Sequence, residues 1–310
     1  MIRTATCLAA LAVLAVPAAF AETKTYDAQS FSAIKAEGAI DVIYERAATP
    51  SVTVEQAEGD FSDVYLDFDG DTLTVSRNSI RDKKGWFRGV SVNMGKDRKN
   101  IKVNGKHVPY YVVRVAGPTL DTAKVSSSAK LTAAGIEADG FTAKASSSGI
   151  LQVSGNAQTA RLDVSSSADL HAADLVAVTL SIDASSSGDV EARSTGTGHN
   201  SIDASSSADV TLVSAGAADF DIDASSSADV SLSGACATLV VSASSGADVM
   251  ASDLACTSVD ASGSSGADID VRASESVKAH ASSGADITVA GAPAQRDVSE
   301  SSGGDVDIVS

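Results

Sequence analysis

Aspartate recurs through the C-terminal two thirds of this sequence at near-constant spacing. Asp169, Asp189, Asp209, Asp229, Asp248, Asp268, Asp286 and Asp305 form one series, and Asp163, Asp183, Asp203 and Asp223 form another. Carboxylates gathered this way have three uses. They can cap turns by accepting backbone N–H bonds, as Asp commonly does. They can hold Ca2+ between neighbours, since oxygen ligands suit that ion, with Asp189, Asp209, Asp229, Asp248 and Asp268 as the candidate ligands. They can also face a cationic partner. Like charges stacked side by side repel, so the series needs one of these compensations. Turn capping is the expected one, and no cofactor other than Ca2+ is suggested.

Nucleophilic and metal motifs are sparse. Ser127-Ser-Ala-Lys130 matches S-x-x-K, but that catalytic serine belongs at a helix start and this one falls in a strand pattern. His171 and His280 sit at different phases of the repeat, and neither H-E-x-x-H nor G-x-S-x-G occurs. Polysaccharide-cleaving β-helix enzymes need long loops, and the short repeat below has no room for them. Beyond residue 120 only Phe141 and Phe220 are aromatic, too few for a sugar-stacking platform. No catalytic residue is assigned.

Between Arg77 and Lys106 the chain turns basic. Arg77, Arg81, Lys83, Lys84, Arg88, Lys96, Arg98, Lys99, Lys102 and Lys106 face only Asp82 and Asp97. Trp86, the single tryptophan, and Phe87 lie among them. The segment reads either as a long solvated hairpin loop or as a docking loop for an anionic partner. In the second reading Trp86 and Phe87 are apolar anchors beside Lys83, Lys84 and Arg88. Anionic glycan, lipid head groups or the acidic region of a second copy would fit.

These groups are positioned by a repeat. A serine cluster begins at residues 126, 146, 165, 185, 205, 225, 244, 264, 282 and 301, at intervals of 18 to 20. Such a period marks a stacked repeat, in which each unit buries its apolar side only against its neighbours. Within one unit Ile202, Ala204, Ser206, Ala208, Val210 and Leu212 share one parity; Asp203, Ser205, Ser207, Asp209 and Thr211 share the other. That is strand alternation, with no 3.6-residue period. The expectation is a right-handed parallel β-helix of about ten coils, each of ~20 residues and stacked ~4.8 Å apart. Gly149, Gly188, Gly246, Gly266, Gly284 and Gly303 are expected to turn the corner with positive φ. Cys236 and Cys256 both stand eight residues before their next serine cluster, hence one coil apart. A Cys236–Cys256 disulfide is therefore predicted, two buried free thiols being the alternative.

The N-terminus reads as a signal peptide over residues 1–21, with Arg3, an apolar Leu8–Val16 run and Ala19-Phe-Ala21. No second apolar stretch is long enough to span a membrane. From Asp121 onward 26 acidic residues face 8 basic ones, whereas residues 1–120 carry 14 and 15. Such an acidic field argues against nucleic acid as a partner. Residues 22–120 are strand-rich and lack the serine repeat. Their motifs are Phe31-Ser-Ala-Ile, Gly38-Ala-Ile-Asp-Val-Ile-Tyr, Val52-Thr-Val-Glu and Leu73-Thr-Val. In that order they resemble the opening of the head GIN domain family of auto-transporter adhesins. That family's later Ser-Gly-Ser-Gly-Asp-Val/Ile rungs are matched by Ser205-Ser-Ser-Ala-Asp-Val. The resemblance implies a secreted β-helix-like protein with no catalytic residues to carry over. Two departures stand out: serine and alanine replace most turn glycines, and, with the repeats running to Ser310, no translocator barrel is expected.

Together these readings give three parts: a signal peptide (1–21), a strand-rich capping part (22–120, with a basic loop at 77–106) and a solenoid (121–310). The function expected is an exported, non-enzymatic scaffold of adhesin or envelope-interaction type, in the periplasm, at the cell surface or secreted. The alternatives are a carbohydrate-active β-helix enzyme and a calcium-dependent binding module.

Overall fold

The computed structural model describes residues 22–56, 59–80, 92–94, 100–103, 105–196 and 198–309. Among them the 3-10 turn Asn78–Ile80 is the only helical element; the regular structure is otherwise β-strand. The chain winds into a parallel β-solenoid of about nine turns.

Alternation builds each coil. Strand Asp209–Ser225 is buried at nearly every second residue, and its inward Val210, Leu212, Phe220, Ile222 and Ala224 are at most 2% exposed. Strand Asp229–Ser244 repeats this one coil on, with Asp209 beside Asp229, Val210 beside Val230 and Leu212 beside Leu232. The unequal intervals are absorbed away from the serine corner. Register shifts fall at the second bend, for example between Ser214 and Ala218 and between Ala251 and Cys256.

The corner works differently from expectation. The second and third residues of each cluster have positive φ, so serine itself occupies the left-handed region, as with Ser206 (56°) and Ser207 (58°). Only in the last four corners does glycine take the second of these places: Gly246, Gly266, Gly284 and Gly303. A left-handed L-residue costs about 1–2 kcal/mol. The corner is held because its backbone also bonds from coil to coil: Ser187 N–H donates to Ser206 O (3.0 Å), and Ser207 N–H to Ser226 O (3.1 Å). Gly149 and Gly188 are not left-handed, contrary to expectation. They stand one residue later, where most corners hold a buried alanine, and they are glycine because the coil beneath leaves no room.

The stack begins well before residue 121. Strands Ala33–Glu37 and Asp41–Arg46 pair in parallel with Thr122–Ser126 and Lys130–Ala145. Gly38 (80°) and Ala39 (49°) turn the corner between them, and Ala39 N–H donates to Ser127 O at 3.1 Å. This first coil carries no serine signature. On its far side Thr72–Arg77 and Tyr111–Gly117 continue in parallel. Beyond them Val64–Asp69 and Ser51–Gln56 pair antiparallel, and Glu22–Tyr26 adds to the latter. Reversing the pairing ends the lattice. On the last described coil the inward column continues as Arg296, Val298 and Glu300, and Glu300 Oε1 accepts Val306 N–H at 3.2 Å. Inward charges of this kind blunt a sheet edge.

Candidate interaction surface

Parallel in-register stacking turns each sequence position into a column on the outside of the solenoid. The first aspartate series is one such column: Asp169, Asp189, Asp209, Asp229, Asp248, Asp268, Asp286 and Asp305 lie side by side on successive coils. Most are exposed. The expected caps are absent: among the described residues none of these carboxylates accepts a backbone N–H. Their backbones are satisfied by the coil beneath, as when Asp209 N–H donates to Gly188 O (3.1 Å), leaving the side chains to solvent. Burial, then the charges of Asp209 and Asp169, raise the pKa of Asp189. Asp268 is raised by burial and by Asp248, Asp286 and Asp270. Among the described residues no three His, Cys, Asp or Glu side chains converge as a metal site.

The second series belongs to a mixed column on the sheet leading into the serine corner. In order along the stack it reads Thr74, Lys35, Lys124, Lys144, Asp163, Asp183, Asp203, Asp223, Ser242. Lysines and aspartates are segregated, and opposite charges meet only at the boundary. There Lys144 pairs with Asp163, and Arg161 reaches Asp163 (2.9 Å) and Asp183 (3.3 Å). Lys35 pairs with Glu37 on its own strand. Away from the boundary, burial and then Asp223, Asp183 and Asp221 raise the pKa of Asp203, with Arg161 opposing.

Ser127 and Ser128 sit in the left-handed corner, and Lys130 opens the following strand beside Asp41, so S-x-x-K lies on no helix. Phe141 and Phe220 are 1% exposed and fill the interior. One groove of about 600 Å3 is open and runs past Asp121, Glu137, Asp139, Asn156 and the half-exposed Val176 and Val178. Cys236 and Cys256 lie side by side on adjacent coils at the second bend, their Cα atoms 4.5 Å apart and their sulfurs joined as a disulfide.

The basic segment divides. Lys83, Lys84, Trp86, Phe87 and Arg88 lie outside the described residues. The segment is more than a loop: Val92–Met94, Ile101–Val103 and Lys106–Val108 form an antiparallel sheet, and Ile101 and Val103 pack with Ile80 against Ala39. Arg77 is no docking cation. It is fully buried at the first corner, where Nε donates to Ala39 O (3.0 Å), Nη1 to Asp63 (2.9 Å) and Nη2 to Pro109 O (2.7 Å). Its guanidinium stands 4.9 Å from the centre of the Tyr111 ring. Burial lowers the Arg77 pKa against the pull of Asp63, and burial pushes Tyr111 up to about 12. This plug leaves no local sequence signal, because its partners come from three separate segments.

Among the described residues no helix is long and apolar enough to cross a membrane. No curated protein matches the chain. Solved structures resemble it at low identity. One of a "putative adhesin" from Parabacteroides merdae is 20% identical over 93% of this chain and 96% of its own, with a TM-score of 0.47. One of a "putative lipid binding protein" from Parabacteroides distasonis is 15% identical over the same shares, with a TM-score of 0.41. Residues 30–199 and 197–293 match the family described as "Putative auto-transporter adhesin, head GIN domain". A match of that extent shows that the chain belongs to the head GIN domain family.

Proposed function

We propose that the protein is an exported, non-enzymatic scaffold of adhesin or envelope-interaction type that works through its outer surface. One observation carries the reading: before the last described coil the inward positions of the repeat are, apart from Phe141, Phe220 and Asn200, aliphatic or small, and the charged groups stand outside in flat, regular rows. Binding over a flat face suits such rows, whereas acid–base catalysis needs a few groups converging in a shaped pocket. Export rests on the signal-like residues 1–21 and is supported by the Cys236–Cys256 bridge, since disulfides persist in oxidising compartments. The parts proposed are the leader, the capping part at 22–120 and the solenoid, with the first coil shared between the last two.

The partner-facing cations proposed are Lys83, Lys84 and Arg88, with Trp86 and Phe87 as anchors. The test uses purified residues 22–310 on arrays of anionic and neutral glycans and in flotation with anionic and neutral vesicles. Salt-sensitive binding to one anionic class, lost in the Lys83→Ser/Lys84→Ser/Arg88→Ser variant, is expected. Binding unchanged in that variant overturns the assignment of these residues. Release of reducing sugar from any acidic polysaccharide overturns the non-enzymatic reading.

A further inference from the structure

The mixed column is self-complementary when reversed. Number its charged coils in order: Lys35, Lys124, Lys144, Asp163, Asp183, Asp203, Asp223. The three lysines precede Asp163 and three aspartates follow it, one per coil on each side. Place a second copy face to face, with a two-fold axis parallel to the strands through the Asp163 coil. Lys144 then opposes Asp183 of the second copy, Lys124 opposes its Asp203, and Lys35 opposes its Asp223. Each contact occurs twice, as a two-fold interface requires. At the axis each Arg161–Asp163 pair meets its counterpart, and Arg161 reaches diagonally to the other copy's Asp163, a distance that long side chains cover. One coil further out the column is neutral at both ends, Thr74 opposing Ser242.

The surface is available for this. Lys35, Lys144, Arg161 and Asp183 have side chains 43–53% exposed, and Lys124, Asp203 and Asp223 are exposed. Lys124, Asp203 and Asp223 form no ion pair with any other described residue. In the neighbouring outward column Thr142 opposes Ser181, Thr122 opposes Ser201 and Ala33 opposes Asp221, while at the axis Arg161 faces its own copy and the diagonal contacts to Asp163 offset that repulsion. Six coil spacings make the charged strip ~29 Å long. With strands of about six residues it covers roughly 600 Å2 per copy, the size of a weak, reversible contact.

We infer that this sheet face is an antiparallel homodimer interface, its occupant a second copy of the chain held by reciprocal Lys35–Asp223, Lys124–Asp203 and Lys144–Asp183 pairs. It is separate from the basic segment assigned to an envelope partner, so the two can fail independently.

The test is sedimentation velocity of residues 22–310 over a concentration series at low and high salt. The wild type forms a dimer at low salt that dissociates as salt rises. Lys124→Asp and Asp203→Lys each place like charges opposite one another, and each weakens association about tenfold or more. An equimolar mixture of the two variants dimerises. At one contact the introduced carboxylate of the first variant meets the introduced ammonium of the second, and at the other the native Lys124–Asp203 pair remains. That recovery also shows that both variants fold. A wild type monomeric at every salt and concentration overturns the inference. So do single variants that dimerise as well as the wild type, and so does a mixture that stays monomeric.

Discussion

Gly188 lies against Val164: a β-carbon on Gly188 would stand 2.8 Å from Val164 Cγ1, closer than real contacts allow. Gly149 stands in the same relation to Val125, at 3.1 Å. Where the lower coil carries alanine at this place, as at Ala184 and Ala204, the corner above carries Ala208 and Ala228. At these corners the bulkier residue below goes with the smaller residue above.

Gly188→Ala therefore costs about 1–3 kcal/mol as overpacking. Adding Val164→Ala recovers part of that loss, giving a coupling of at least about 0.5 kcal/mol in a double-mutant cycle of denaturant melts. Purely additive losses would show that the contact does not set the residue.

Asp189, Asp203 and Asp268 all have raised pKa values, so the folded protein binds their protons more tightly than the unfolded chain does. The associated destabilisation is complete above their folded-state values and vanishes below the ordinary 3.8. Asp60 works in the opposite sense, lowered by bonds from Ser62, but it stands alone and exposed. At constant ionic strength the melting midpoint is expected to rise between pH 7 and about pH 4.5. Asp189→Asn raises it at pH 7 and flattens the profile. Calcium is expected to add nothing beyond matched monovalent salt; a calcium-specific rise would favour the calcium-binding alternative instead.

Arg77→Met removes the cation beside Asp63, which keeps only its bonds from Ser79, and takes the guanidinium donor from the Ala39 and Pro109 carbonyls. The expected loss is about 3–5 kcal/mol, as for other broken buried pairs. Because each coil contacts only its neighbours, the damage is local. Hydrogen exchange should accelerate first in Ala33–Glu37, Asp41–Arg46 and Tyr111–Gly117, while Asp209–Ser225 keeps its protection. Uniform acceleration along the whole solenoid would contradict this.

The Cys236–Cys256 bridge spans a sequence separation of 20, and chain entropy puts the stabilisation from such a closure at about 3 kcal/mol. The unfolded, unreduced protein is expected to titrate no thiol. Reduction should lower the melting midpoint without dissolving the fold. Two free thiols would remove the bridge.

The repeat was legible because stacking demands it. A period of 18 to 20 with strict parity leaves a parallel solenoid as the simplest reading, and the cysteines fall into line by arithmetic. The first coil was not legible, since Gly38-Ala39 turns the corner without a serine and its partners lie far downstream, at Thr122–Ser126. Nor was the left-handed backbone at Ser206 and Ser207, because side-chain type predicts glycine there and coil-to-coil bonding overrides that preference. Arg77 looked like one cation among many; only tertiary structure singles it out. The charge segregation of the Lys35–Asp223 column was invisible for a simpler reason. Its two ends sit in parts of the chain that the sequence assigns to different regions.

The bonds between coils, such as Ser187 to Ser206 and Asp209 to Gly188, run from one coil to the next along the solenoid axis. A tether pulling on the two ends therefore loads these bonds in tension, one layer at a time, rather than shearing many at once. Under traction the rod should unspool as successive loops of 18 to 20 residues, and the Cys236–Cys256 crosslink is the rivet that shortens one step of that extension.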